Sequence, residues 1–312
     1  MPPKKTGGNW DPSEKPFYFI AGSLGWVHQA SDLTDHELIA VNEINSEENI
    51  SMIDAMLDRG CKLLIDSGVY SLAAKTAERL NVSHDVALRM PIDKLDGFKE
   101  LFDRYVSLAK KYQDRAWGIV EVDLGGRDQK RITRKKLEGL GIRAIPVYHP
   151  LNDGWDYFDE LATNYDRICV GNIVNASPYV RLRILSTIYE RRARIAPKLW
   201  MHALGLTPNQ WLCGYPVSSA DSSAWLNVVR WSGYKERACL RTLCNVDRHF
   251  QYLLGDRESC VKGTRMGAVG AHCITQNLRN FLDSMRKAGI YADAGLLQNA
   301  VRRLPPLERC AG

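Results

Sequence analysis

From residue 17 onward the chain alternates short apolar runs with longer stretches in which apolar residues recur at helical spacing. That is the pattern of a parallel sheet whose strands are joined by helical crossovers. The apolar runs end in small or polar residues: FYFIAGS at 17–23, KLLIDSG at 62–68, WGIVEVD at 117–123, RAIPVYH at 143–149, RICVGN at 167–172, LWMHALG at 199–205 and YPVSSAD at 215–221. Helices are predicted over 47–59, 92–112, 128–140, 153–164 and 179–196, with Asp, Asn or Ser near several starts as caps. A last helix over 272–288 carries Ile274, Leu278, Phe281, Leu282 and Met285 at core-facing spacing and stops at Gly289.

Seven strands with helical crossovers fit two architectures, an irregular TIM-type (β/α)8 barrel and a doubly wound sheet. The barrel is favoured because polar residues gather at the end of nearly every strand instead of at one switch point. The expected organisation is a flexible basic leader over 1–16 and one catalytic barrel over 17–312, with a C-terminal helical elaboration from about residue 235.

Composition narrows the class without naming it. A hydrophobic fraction of 45% and a charged fraction of 25% suit a globular domain with a sizeable core. Nothing approaches a membrane-spanning apolar run or a signal peptide, so a cytoplasmic protein is expected. The 42 Lys and Arg against 36 Asp and Glu permit a polyanionic partner without requiring one. The basic stretches KRITRKK (130–136) and ERRAR (190–194) read as solvated helix faces before they read as nucleic-acid surfaces.

The strand ends carry the candidate chemistry. Asp66 closes one strand and is followed by Ser67 and Gly68, small neighbours that let a ligand approach. Glu121 and Asp123 close the next; two residues apart on a strand, they would face the same side, and Glu121 could instead pair with a barrel arginine. A carboxylate there can accept hydrogen bonds from the N1 and 2-amino groups of a base. His149, then Gly171 and Asn172, then His202 and Gly205 end the following strands, and Asp221 closes the series in SSADSSAW. Two carboxylates across one cavity can perform glycosidic chemistry, one attacking the anomeric carbon and the other managing the leaving group's proton. Taken singly, each residue has a plainer reading: a helix cap for the aspartates, a hydrogen-bonded wall residue for the histidines, turn geometry for Gly171.

Eight scattered cysteines read as reduced thiols. Cys239, Cys244, His249 and Cys260 hold enough thiol and imidazole for a zinc site, but no CxxC pair exists in the chain, so zinc is the minor alternative and no cofactor is required.

Read in order, LIDSGVYSL, WGIVEVDLGG, AIPVYHP, ICVGNIV, MHALGLTP and YPVSSADSSAW resemble the successive strand-end motifs of the tRNA-guanine transglycosylase superfamily. The resemblance spans residues 17–234 and looks closest to the branch that acts on DNA, the 7-deazaguanine DNA transglycosylases (DpdA family). It implies that Asp221 is a nucleophile forming a covalent glycosyl intermediate and that Asp66 is the general acid/base. Asp123 would recognise the guanine-like edge; Ser67, Gly68, His149, Gly171 and Asn172 would line the base pocket, and His202 with Gly205 would floor it. The implied partners are duplex DNA with its target nucleotide flipped out, a 7-deazaguanine base such as 7-cyano-7-deazaguanine, and a second copy of the chain as a homodimer. The resemblance also suggests a phage protein acting in bacterial cytoplasm. The CxCxxC zinc motif and the proline-threonine-arginine run of the tRNA enzymes are missing here. A tRNA-directed enzyme and a non-catalytic nucleic-acid-binding subunit stand as the alternatives.

Overall fold

A computed structural model describes residues 3–11, 17–31, 36–206 and 218–223. The final helix, the helical region from about 235 and the four candidate zinc residues lie outside the described residues. Eight parallel strands form one sheet: β1 (Phe17–Ala21), β2 (His36–Ala40), β3 (Lys62–Asp66), β4 (Gly118–Ile119), β5 (Val147–Tyr148), β6 (Arg167–Val170), β7 (Trp200–Ala203) and β8 (Ser219–Ser222). Their order, β4-β3-β2-β1-β8-β7-β6-β5, follows the chain around a circle. The outer strands approach each other through a parallel bridge between Val120 and Ile145. Two hydrogen bonds hold it, Ile145 N–H to the Ile119 carbonyl at 2.7 Å and Glu121 N–H to the Ile145 carbonyl at 3.0 Å. The sheet is therefore curled, and its two edges meet there.

Strand β2 is absent from the sequence-based prediction. Its HELIA run is short and holds a charged residue, yet both faces are buried, with Leu38 turned to the inner face and Ile39 to the helical layer. Register with β3, from His36 opposite Lys62 to Ala40 opposite Asp66, identifies it as a strand. Pairing supplies what local propensity does not.

Period-two alternation sorts the strand side chains into two layers. Phe19, Leu64, Val147, Cys169 and Trp200 form an inner cluster. Ile20, Leu63, Ile65 and Ile119 on one side, and Tyr148, Ile168, Val170, Met201 and Ala220 on the other, pack into the helical layer. The helices are α1 (Leu24–Ala30), α2 (Glu47–Asp58), α3 (Val69–Leu80), α4 (His84–Arg89), α5 (Phe98–Tyr112), α6 (Gly126–Gly139), α7 (Trp155–Asn164) and α8 (Pro178–Ile195). The predicted helix over 92–112 is shortened to α5 because a 3-10 turn at Ile92–Lys94 and a left-handed Gly97, φ 81°, precede it.

Residues 3–11, within the expected leader, are hydrogen-bonded to the rest of the fold. Lys4 N–H bonds the Asn164 carbonyl at 2.7 Å, Gly7 N–H the Arg143 carbonyl at 2.7 Å and Asn9 N–H the Ala116 carbonyl at 2.7 Å. The segment lies across the N-terminal ends of the strands. Arg167, fully buried at the start of β6, is the anchor beneath it. Its guanidinium lies 4.5 Å from the Trp10 ring centroid and 4.7 Å from that of Trp117. It donates to Thr6 Oγ1 at 2.6 Å, to the Trp117 carbonyl at 2.9 Å and to the Gly7 carbonyl. Hydrogen bonds from every side offset the cost of burying that cation.

Several cations of the basic stretches are committed within the fold, while Lys135, Lys136 and Arg194 are exposed. In α6, Lys130 is fully buried and pairs with Asp153, Arg131 pairs with Glu160, and Arg134 makes a two-pronged ion pair with Glu121. In α8, Arg191 pairs with Asp159 at 2.6 Å and Arg192 donates to the Leu199 carbonyl at 2.8 Å. Lys130 and Arg134 are thus neither solvated nor open to a polyanion.

Candidate active site

A cavity of about 550 Å³ opens at the C-terminal ends of the strands, the size and place at which α/β proteins bind small ligands. Asp66, Asp123, His149 and Asp221 line it together, from β3, the segment after β4, β5's end and β8. Alternation explains the convergence. Asp66 shares its strand face with Leu64, and Asp221 shares its face with Ser219, so both carboxylates continue the inner layer upward.

Asp66 sits at the turn into α3. Gly68 adopts φ 78°, and its N–H reaches back to Asp66 Oδ2 at 3.2 Å. A Cβ at Gly68 would lie 2.5 Å from Asn42 Oδ1, so glycine is required both by conformation and by space. Burial pushes the Asp66 carboxyl up to about 7, reinforced by the negative charges of Asp123 and Asp221 and opposed by the Gly68 and Ser67 N–H groups. A carboxyl that still holds its proton near neutrality is equipped for general acid/base work.

Asp123 lies in the opposite situation. Burial pushes its carboxyl up, but hydrogen bonding and charge from His149, with Lys130 behind, outweigh that and hold it below the usual carboxylate range. His149 Nε2 is 2.8 Å from Asp123 Oδ2. The backbone N–H of His149 donates to Asp153 Oδ2 at 2.7 Å, and Asp153 in turn pairs with Lys130, whose ammonium also donates to the Val147 carbonyl at 3.0 Å. Gly171 makes room for this pair: a Cβ there would stand 2.9 Å from His149 Cδ2. The two neighbouring carboxyls are thus pushed in opposite directions, Asp66 up and Asp123 down.

Asp221 is held through one oxygen. Its Oδ1 accepts from the Gly205 N–H at 2.9 Å and lies 3.0 Å from His202 Nε2. Gly205 has φ 69°, a left-handed turn that aims its N–H back at the carboxylate. His202 is buried behind Asp221 and does not line the cavity; its other nitrogen, Nδ1, meets Ser219 Oγ at 2.9 Å.

The remaining site residues divide. Gly171, Asn172 and Gly205 line the cavity, whereas Ser67 and Gly68 lie outside its wall. Asn172, left-handed at φ 62°, spends its side-chain amide on Asp85 Oδ1 at 2.9 Å, the oxygen that also accepts from Asn152 at 2.9 Å. Glu121 does not share Asp123's side. Regular β4 ends at Ile119, so the two-residue rule lapses; Glu121 instead accepts from Arg134 and, at 2.6 Å, from the Val147 N–H. Asp85, Lys130, Asp153 and Ser219 escaped sequence reasoning. Only Asp153, four residues after His149, carried a local signal, that of a turn residue. Among the described residues no group of three or more His, Cys, Asp or Glu could hold a metal ion. No described helix is long and apolar enough to cross a membrane.

No family model matches the chain, and no curated protein matches it. Among solved structures, a cube-shaped, highly porous protein cage designed by fusing symmetric oligomeric domains is similar over 93% of this chain and 83% of its own, at 12% identity and a TM-score of 0.43. A mutant tryptophan synthase α-subunit from the hyperthermophile Pyrococcus furiosus is similar over 70% of this chain and 93% of its own, at 10% identity and a TM-score of 0.40. Similarity at this level says nothing of chemistry.

Proposed function

We propose that the chain is an irregular TIM-type (β/α)8 barrel that exchanges guanine in DNA for a 7-deazaguanine base through a covalent Asp221 glycosyl intermediate. The observation that carries the reading is the pairing of carboxyl states in one cavity: Asp66 protonated up to about pH 7, Asp123 held charged, and Asp221 on the same wall system. In the first half-reaction Asp221 attacks C1′ of the target nucleotide. The C1′–N9 bond breaks, its electron pair leaves with guanine, and Asp66 delivers the proton that guanine needs to depart neutral. In the second half, ionised Asp66 takes the N9 proton of the incoming base. That nitrogen attacks C1′, and Asp221 leaves as carboxylate. No ATP or redox partner is required.

Asp123 suits recognition of the base. With Oδ2 held by His149, its other oxygen can meet the N1–H and 2-amino donors of a guanine-like edge. A base-paired nucleotide must be flipped out before C1′ is reachable, at a cost of a few kcal/mol. Lys130 and Arg134, buried and ion-paired, are not available for phosphate contacts to such a substrate.

The test is incubation of the protein with duplex DNA, and separately with tRNA, plus 7-cyano- or 7-aminomethyl-7-deazaguanine. Digested nucleosides are then measured by mass spectrometry beside an Asp221→Ala control. Modified deoxynucleoside that disappears in the variant is expected. Modified ribonucleoside alone would move the substrate to tRNA, and no product with either would overturn base exchange.

A further inference from the structure

Behind Asp221 runs a file of buried polar groups that the reaction above does not use. Trp200 Nε1 donates to Ser219 Oγ at 3.1 Å, Ser219 Oγ lies 2.9 Å from His202 Nδ1, and His202 Nε2 lies 3.0 Å from Asp221 Oδ1. His202 is 1% exposed and Ser219 2%. The Phe19 ring meets the imidazole nearly edge-on, at 5.5 Å between centroids and 75° between planes, and fixes the ring's tilt.

We propose that Trp200 and Ser219 are positioning residues that hold His202 as the neutral Nε2–H tautomer, so that it orients Asp221 with Oδ1 tied back and Oδ2 free for attack. The inference rests on the reading of Asp221 as the nucleophile. Its logic is donor arithmetic. An indole N–H can only donate, so Ser219 Oγ accepts from Trp200. In the proposed arrangement the single hydroxyl hydrogen of Ser219 goes to His202 Nδ1, which is bare and accepts it. The ring's remaining proton sits on Nε2 and is donated to Asp221. That arrangement satisfies every polar atom in the file without a second ring proton, whereas an Nδ1–H donating to Ser219 Oγ would leave the hydroxyl hydrogen with no partner in the file.

Both the His202 and Gly205 donors fall on Oδ1. The carboxylate is consequently anchored at one oxygen and presents the other to the cavity that Asp221 lines. A neutral histidine matters here. An imidazolium would bind the carboxylate more tightly and drain its nucleophilicity, whereas a neutral N–H fixes orientation at smaller cost to its basicity.

The experiment uses the full chain labelled with 15N-histidine, and long-range proton–nitrogen spectra to read each ring's tautomer. The His202 signals, among those of 7 histidines, are assigned by their loss in His202→Gln. Wild type is expected to show a protonated Nε2 and a bare, hydrogen-bonded Nδ1. Ser219→Ala and Trp200→Phe, which remove successive links, should each mix the tautomers. In base-exchange assays Ser219→Ala should lower kcat by about 10- to 100-fold with KM for the incoming base unchanged, an effect typical of lost orienting partners, and Ser219→Thr should recover most of it. A wild-type ring protonated on both nitrogens, or on Nδ1 alone, overturns the inference. So do unchanged spectra in Ser219→Ala, or a loss that falls on KM. A wild type with no exchange activity sinks the proposed reaction instead, and the spectra still decide the tautomer.

Discussion

Asp66 offers the sharpest quantitative test, because its raised carboxyl must appear in folding stability whatever the reaction. Its value moves from 3.8 to about 7, a rise of about three pH units. At about 1.4 kcal/mol per unit this is a destabilisation of about 4 kcal/mol when the group is fully ionised in the fold. The sign follows from proton counting. Between pH 4 and 7 the folded protein holds a proton on Asp66 that the unfolded chain has lost, so stability falls as pH rises through this window and levels off above about 7. Asp123 and Asp85, both held below the ordinary range, act in the opposite sense and at lower pH: the stability they contribute is lost as pH falls through their folded values. Comparing wild type with Asp66→Asn removes those shared terms. Urea unfolding of both at half-unit steps from pH 4.5 to 8 should show the variant gaining on wild type up to about pH 7 and levelling off beyond it, by about 3 kcal/mol in total. A constant difference between the two proteins across that range would refute the raised carboxyl of Asp66. Asp123→Asn supplies the internal check, since removing the charge beside Asp66 should bring the upper end of the slope to lower pH while its onset, set by the unfolded chain, stays in place.

Other consequences are equally direct. Gly171→Ala places a Cβ 2.9 Å from His149 Cδ2 and should displace the ring from Asp123, weakening binding of a 7-deazaguanine about tenfold in titration calorimetry; unchanged affinity would remove Asp123 and His149 from base recognition. Trp10→Ala should cost about 2 kcal/mol of stability by uncovering Arg167, measured by thermal unfolding, whereas a truly loose leader would cost nothing. Glu121→Gln should destabilise the fold by roughly 3 kcal/mol through the stranded Arg134 guanidinium. Its kcat per folded molecule should nevertheless match wild type in nucleoside assays, and a selective loss of turnover would place Glu121 in the site after all.

Much of this architecture follows from one-dimensional pattern. Seven of the eight strands and five crossover helices are legible because burial on both faces of a parallel strand demands apolar runs, and packing one face of a helix demands a 3.6-residue period. Asp66 is legible because it interrupts an apolar run at its C-terminal end; Asp221, after Ser218, Ser219 and Ala220, is legible only as the polar end of a short strand. Strand β2 was hidden because HELIA is defined by its register against β3, a relation between residues far apart in sequence. Glu121 and Asp123 have the same chemistry and nearly the same position; only the end of regular pairing after Val120 sends one to Arg134 and the other to His149. Protonation states were likewise out of reach of sequence, since the proton on Asp66 depends on burial and on two charges brought from β8 and the β4 end. Sequence by itself determined which residues could carry chemistry, because hydrophobic periodicity is local. Tertiary structure decided which of them share a cavity, which are ion-paired into the scaffold and which oxygen of Asp221 is left free, because electrostatics and hydrogen bonding act through space between strands that the chain keeps far apart.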